Sequence, residues 1–203
     1  MTVPDESRRS GVPLRRLEAY SDGVFAIAAT LLALDVGTDA IGTVTTNQEL
    51  WEGLRAQRLA FIGVVVAFLV LCNLWAFQAA QLASLSSVTP RVLSLNAFRL
   101  LGVILVPFST SVATHYDQVA LGAVLLPLNI LWIVTFGVLT SWHTRSAGLV
   151  EGPRERAALG AGSGLLHIGT AVGVVVLAPF VGMWAFLLFA VEGLARRLVG
   201  RRR

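Results

Sequence analysis

Residues 59–82 read LAFIGVVVAFLVLCNLWAFQAAQL, 24 residues without one Asp, Glu, Lys or Arg. As a helix this run rises about 36 Å, enough to cross the roughly 30 Å hydrocarbon core of a bilayer. Comparable blocks lie on both sides of it. Together they predict spans at Leu17 to Val36, Leu59 to Leu82, Val92 to Val112, Val119 to Trp142, Ala157 to Leu177 and Met183 to Val199. The blocks are long and continuous rather than short and alternating, which selects helices over barrel strands. The expected fold is therefore an all-α integral membrane protein with six transmembrane helices over residues 14–200. A cytoplasmic tail, 1–13, precedes them and a basic tail, 201–203, follows.

Composition supports the same class. The chain is 55% hydrophobic and 14% charged, with a mean hydropathy of +0.73, against roughly 45–50% apolar and 25% charged in a soluble domain. The lone Cys72 excludes a disulfide framework and a Cys-rich metal site. His115, His143 and His167 are far apart, with no ligand pair at helical spacing, so neither a metal nor a cofactor is expected.

All sixteen basic residues are arginine, and their positions argue against nucleic acid as a partner. Arg8, Arg9, Arg15 and Arg16 precede the first span, and Arg196, Arg197, Arg201, Arg202 and Arg203 follow the last, as anchors facing anionic lipid. The Ser84 to Arg91 connection and the His143 to Arg156 linker are also arginine-rich. The opposite side offers Asp35, Asp39, Glu49, Glu52 and Asp117 against Arg55 and Arg58. With an even number of spans, both termini are expected in the cytoplasm. A secretory signal is the weaker reading of the first apolar run, which is about 20 residues long, contains Ser21 and Asp22, and lacks a small-residue cleavage site.

Beyond that run comes a loop rich in Gly, Thr, Asp and Asn, then Glu49, Trp51 and Glu52 lead through Arg55 and Arg58 to the second span. Pro107 and Pro127 are expected to kink the third and fourth helices, with a hinge as the alternative. Gly160 and Gly164, and Gly169 and Gly173, suggest close helix packing in the fifth. A turn at Ala178 to Gly182 containing Pro179 should separate the fifth helix from the sixth. Trp142 and Trp184 suit the membrane interface, Trp75 should pack on the first helix, and His167 should be a buried polar contact.

The first span carries the chemistry. Ionisable groups within a span are functional suspects by default, and Asp22 lies about one and a half turns in. Its bland role, with Ser21, is to bond Arg16, Arg99 or backbone groups and lock helices together. At 100° per residue, Tyr20, Ile27, Thr30, Leu31 and Leu34 share one sector with Gly23 and Val24. By periodicity alone such a stripe more often packs on a neighbouring helix than lines a pore.

The run Arg16-x-x-x-Tyr20-Ser21-Asp22-Gly23, continuing Phe25-Ala26-Ile27-Ala28-x-Thr30-Leu31-Leu32, resembles the first-helix signature of the bacterial, single-repeat TMEM175 potassium channels. Asn96, the Leu105-Val106-Pro107-Phe108-Ser109-Thr110 segment and Trp75 extend the resemblance over most of the chain. Tyr20 stands where the family has Phe. Where the family often carries paired histidines after the second-helix Trp, this chain reads Trp75-Ala76-Phe77-Gln78-Ala79, so no histidine role carries over.

The resemblance implies a homotetramer in a bacterial plasma membrane, with the first helix of each subunit lining a central pore. Ile27, Leu31 and Leu34 would then form apolar rings and Thr30 a hydroxyl layer, with potassium among monovalent cations as the permeant ion. Arg16, Tyr20, Ser21, Asp22 and Gly23 would serve structure or gating, supported by Trp75 and Asn96. Asp35 and Asp39 would either concentrate cations at the mouth or merely end the helix. No span carries arginines at every third position, so a leak channel is expected rather than a voltage-gated one. The alternatives are a secondary transporter, for which matching broken helices in two halves are missing, and a non-conducting membrane subunit. A membrane enzyme would need an HExxH, GxSxG or paired-carboxylate constellation that is absent.

Overall fold

The computed structural model describes residues 12–37, 41–116, 118–152, 161–181, 185–186 and 188–189. They form α1 (Leu14–Leu32) with a 3-10 turn at Ala33–Asp35, α2 (Asn47–Ala56), α3 (Arg58–Ala83), α4 (Pro90–Ile104), α5 (Val106–His115), α6 (Ala120–Ser146) and α7 (Ala161–Val181). The protein is all-α. Five expected spans are present as α1, α3, α4 with α5, α6 and α7. Of the sixth, Met183 to Val199, only Ala185, Phe186, Leu188 and Phe189 are among the described residues. Residues 1–11 of the expected N-terminal tail, the basic tail 201–203, Asp39, Asp117, Gly160 and Trp184 lie outside them.

Segments 58–83, 90–115, 120–146 and 164–181 are long and apolar enough to cross a membrane. The first helix differs from these. Arg15, Arg16, Glu18 and Asp22 interrupt its apolar run, so its insertion depends on the helices around it.

Several boundaries depart from the sequence expectation, each for a local reason. The first helix begins at Leu14, behind Pro13, which fixes its own backbone without needing a donor. Residues 47–56, expected as a lead-in to the second span, form a separate helix. Thr46 caps it by accepting from the Glu49 N–H, and Glu49 reaches back to the Thr46 N–H, a reciprocal capping box. The backbone N–H of Thr45, 2.7 Å from Glu49 Oε2, is the main cause that holds this carboxyl below the ordinary glutamate range.

In the third span the helix breaks at Leu105, two residues before Pro107, whose ring nitrogen has no hydrogen to donate back along the helix. Pro127, by contrast, sits within an uninterrupted α6. The fifth helix does not stop at Leu177: α7 continues through Pro179 to Val181, so the expected turn at Ala178 is helix.

The chain crosses back and forth between two ends. At one end Leu17, Leu82, Leu85, Val92 and Val150 cluster. There the backbone of Ser86 donates to Leu149 at 2.9 Å and that of Glu151 donates to Ser84 at 2.9 Å. The two interior arginine-rich connections thus meet at the end where α1 begins. Between the ends, Phe25 and Leu32 of α1 pack with Ala67 and Leu71 of α3, Leu100 and Val103 of α4, Ile130 and Ile133 of α6, and Ala171 and Val174 of α7.

Close approach of α4 and α6 depends on Gly102. A Cβ there would lie 2.6 Å from Ile133 Cγ1 and 2.8 Å from Trp132 Cδ1. The missing side chain also bares the Gly102 carbonyl to Asn129 Nδ2 at 3.0 Å, while Trp132 Nε1 donates to the Phe98 carbonyl at 2.8 Å. Gly102→Ala is expected to cost about 1–3 kcal/mol in overpacking, against up to about 1 kcal/mol regained in helix propensity. Thermal unfolding in detergent should show a loss of about 2–4 °C; an unchanged or raised midpoint would mean that the α4–α6 contact yields freely. In α7, a Cβ at Gly164 would lie 3.0 Å from Val138 Cγ1, which is close packing, whereas Gly169 faces open space.

Candidate pore helix

Packing divides α1 into two apolar faces. Leu17, Ser21, Phe25, Ala28 and Leu32 are buried, at the three- and four-residue spacings of one helical side. Their neighbours are α3, α4 and α5. On the other side Tyr20, Ile27 and Leu31, with Leu34 of the following 3-10 turn, are 63%, 61%, 42% and 74% exposed. Among the described residues the stripe therefore does not pack on another helix, which is the commoner fate of such a pattern. Thr30 is exposed beside it, and its hydroxyl donates to the Ile27 carbonyl at 2.8 Å. With the hydroxyl proton committed to the helix, the oxygen lone pairs are left to accept.

Adjacent polar residues set how α1 is rotated. Ser21 is buried, and its Oγ accepts from Asn96 Nδ2 of α4 at 3.1 Å. Asp22 is exposed, and its Oδ1 accepts from Trp75 Nε1 of α3 at 2.8 Å. Consecutive residues on a helix point about 100° apart, so this pair reaches two different helices at once. The expected lock exists, but its partners are Asn96 and Trp75 rather than Arg16 or Arg99. Arg16 is exposed at the first turn. Gly23 is exposed too, and a Cβ added there would meet nothing within 4 Å. Of Asp35 the backbone is described, closing the 3-10 turn.

A second polar layer lies behind this lock. Arg99, one turn beyond Asn96 on α4, is 1% exposed. Its Nη1 donates to Gln81 Oε1 at 2.9 Å and its Nη2 to the Leu74 carbonyl at 3.3 Å, and the Phe77 ring centroid is 5.5 Å from Cζ. Gln81 passes the network on through Nε2, which donates to the Gly137 carbonyl at 2.9 Å and to Ser141 Oγ at 2.6 Å. Three helices, α3, α4 and α6, are joined through these side chains. The sequence held the signal for this layer, an arginine inside an apolar span, but spacing alone gave it no partners. Among the described residues no group of three or more His, Cys, Asp or Glu could hold a metal ion.

Residues 16–107 match the family model described as the endosomal/lysosomal potassium channel TMEM175. A potassium channel of Streptomyces collinus is 32% identical over 148 residues, which are 70% of this chain and 69% of that protein. A potassium channel of Chamaesiphon minutus is 29% identical over 107 residues, 50% of this chain and 49% of that protein. In fold, the chain resembles the crystal structure of a lysosomal potassium-selective channel TMEM175 homolog from Chamaesiphon minutus. The TM-score is 0.74 at 21% identity, over 90% of this chain and 97% of that one. The matched segment starts at Arg16 and ends at Pro107, so it contains the first-helix motif with its Trp75 and Asn96 partners. The chain belongs to the TMEM175 family of potassium channels, and so to a family of channels rather than of enzymes.

Proposed function

We propose that the protein is a potassium-preferring leak channel, a homotetramer in which α1 of each copy lines a central pore. The observation that carries this is the exposed stripe of Tyr20, Ile27, Leu31 and Leu34 on a helix whose opposite face is bonded into its own bundle. One such helix cannot enclose a pore, so a closed ring of copies is required. Gly23, Ala26 and Ala33 are exposed on the flank of the stripe, and small residues there let neighbouring α1 helices approach closely. The names of the relatives from Streptomyces collinus and Chamaesiphon minutus support potassium as the permeant ion.

In that ring Ile27, Leu31 and Leu34 form stacked apolar constrictions, which resist wetting and strip water from a passing ion. Potassium holds its hydration shell less tightly than sodium and crosses at lower cost. Thr30, its proton bound to the Ile27 carbonyl, offers four outward oxygens next to the narrowest ring. Ser21 and Asp22 act by holding α1 in this rotation through Asn96 and Trp75, while Arg16, Tyr20 and Gly23 lie exposed, where they serve structure or gating at the contact with a neighbouring copy. The arginine-rich connections gathered at the α1 start favour both termini in the cytoplasm of a bacterial plasma membrane.

Ion flux from liposomes under a potassium gradient tests the reading. Fast passive potassium efflux without a coupling ion is expected. Flux that requires a second ion would make the protein a transporter, and none at any pH or voltage would make it a non-conducting subunit. Thr30→Ala is expected to lower potassium over sodium permeability by about three- to tenfold, the loss of roughly one weak oxygen contact per subunit shared between two ions. An unchanged ratio from reversal potentials would remove Thr30 from the pore.

A further inference from the structure

Asp22 is an exposed carboxylate on a membrane-spanning helix. Its bond to Trp75 Nε1, at 2.8 Å, engages Oδ1, and a carboxylate has a second oxygen to offer. The side chain opens on a groove of about 350 Å³ between α1 and α3, walled by Phe25, Ala29, Leu71 and Trp75, with Cys72 also in its lining. That volume falls within the usual range of small-molecule sites.

Charge and apolar surface are sorted along this groove. Asp22 and Trp75 stand towards the start of α1, the end at which the arginine-rich connections gather. From there the lining runs to Ala29, about 10 Å further along the helix axis and deeper in the bilayer. Glu18 adds a second acid one turn nearer the headgroups on the same side of α1, and Arg15 follows at the surface. An amphiphile in a leaflet is ordered in the same way, its charged head outward and its chain inward. The sign is set by Asp22, which attracts a cation and repels an anionic head. Trp75, 44% exposed, adds an indole, the ring that holds a cation best. A wholly apolar occupant would cover the carboxylate without neutralising it.

We propose that this groove binds a single-chain alkylammonium ion, its head against Asp22 and Trp75 and its chain along Phe25, Ala29 and Leu71. Asp22 points roughly 140–180° around the helix from Ile27, Leu31 and Tyr20, so the ligand enters from the bilayer and lies outside the proposed conduction path. It sits instead on the bond that fixes the rotation of α1. The site does not depend on what ion the protein conducts, and its failure would leave the channel reading standing.

Cys72, the sole cysteine of the chain, reports occupancy directly. In the full chain held in neutral maltoside micelles, N-ethylmaleimide should alkylate it readily. Dodecyltrimethylammonium at ten times its half-effect concentration should slow that reaction about tenfold, because the free fraction falls as 1 + [L]/Kd. Dodecanol, with the same chain and no charge, should give little protection. Asp22→Asn keeps an oxygen for the Trp75 N–H but removes the charge, and it should lose the protection. Equal protection by dodecanol, or amine protection that persists in Asp22→Asn, would overturn the site. So would a Cys72 that reacts only after unfolding in dodecyl sulfate, since a neighbouring copy would then fill the groove. Should Asp22→Asn fail to fold, the comparison of amine with alcohol on the wild-type chain decides it.

Discussion

Ile27→Asn is expected to lower the potassium over sodium permeability ratio at least about tenfold, which corresponds to roughly 1.4 kcal/mol of discrimination. Ile27 is 61% exposed and central in the stripe, between Tyr20 and Leu34. In the proposed ring its four side chains offer no dipole to an ion, so passage costs hydration and the ion that holds water less firmly is favoured. Four amides at the same level would replace lost water for sodium as well as for potassium and would wet the constriction. Conductance should therefore rise as selectivity falls.

The substitution should leave folding intact, because the side chain lies outside the buried core and surface changes of this kind usually stay within about 0.5 kcal/mol. Bi-ionic reversal potentials in planar bilayers, together with melting curves of the same preparation, separate the two effects. An unchanged ratio in a well-folded variant would place the apolar stripe against lipid. The proposed pore would then be wrong.

Arg99→Ala is expected to be the most damaging change to stability, at about 3–5 kcal/mol. Two losses add. Gln81 Oε1 is deprived of its donor inside a buried network, and the space occupied by the arginine becomes a void against Phe77 and Gly137. One gain opposes them, since a desolvated charge disappears. Comparison with Arg99→Met decides which effect dominates. Met removes the charge as Ala does but fills most of the space, so it should lose clearly less. With about 2–4 °C per kcal/mol for a chain of this length, Arg99→Ala should melt about 6 °C or more below the wild type. A variant as stable as the wild type would show that neutralising the charge outweighs both the orphaned amide and the void.

Residue by residue, the sequence was informative wherever the deciding interaction was local. Hydropathy located α3 and α6 because a long uncharged run has one stable state in lipid. Thr46 and Glu49 announce the start of α2 at capping-box spacing, and that helix was legible although the apolar runs on either side overshadowed it. Pro107 pointed to a kink, and the helix instead breaks two residues earlier, at Leu105. Pro179 misled in the other direction, because in an apolar span the freed carbonyl does not by itself end the element.

Of the long-range partners only Trp75 was anticipated, as a side chain packed on the first helix; the individual bonds were not legible. Ser21 and Asp22 were recognisable as a lock, but Asn96 lies 75 residues from Ser21 and Trp75 lies 53 from Asp22. Spacing says nothing about which helices meet.

The sequence by itself therefore determined the membrane class, the approximate spans and the family likeness, since hydropathy and a contiguous motif are properties of the chain alone. It also determined that α1 has a stripe at Tyr20, Ile27, Leu31 and Leu34. Tertiary structure alone decided which side of α1 is covered. Phe25, Ala28 and Leu32 are as apolar as Ile27, Leu31 and Leu34, so periodicity offers two candidate faces and no means of choosing between them. The choice is made by the Ser21–Asn96 and Asp22–Trp75 bonds, which fix the rotation of the helix against α4 and α3 and leave the second stripe uncovered.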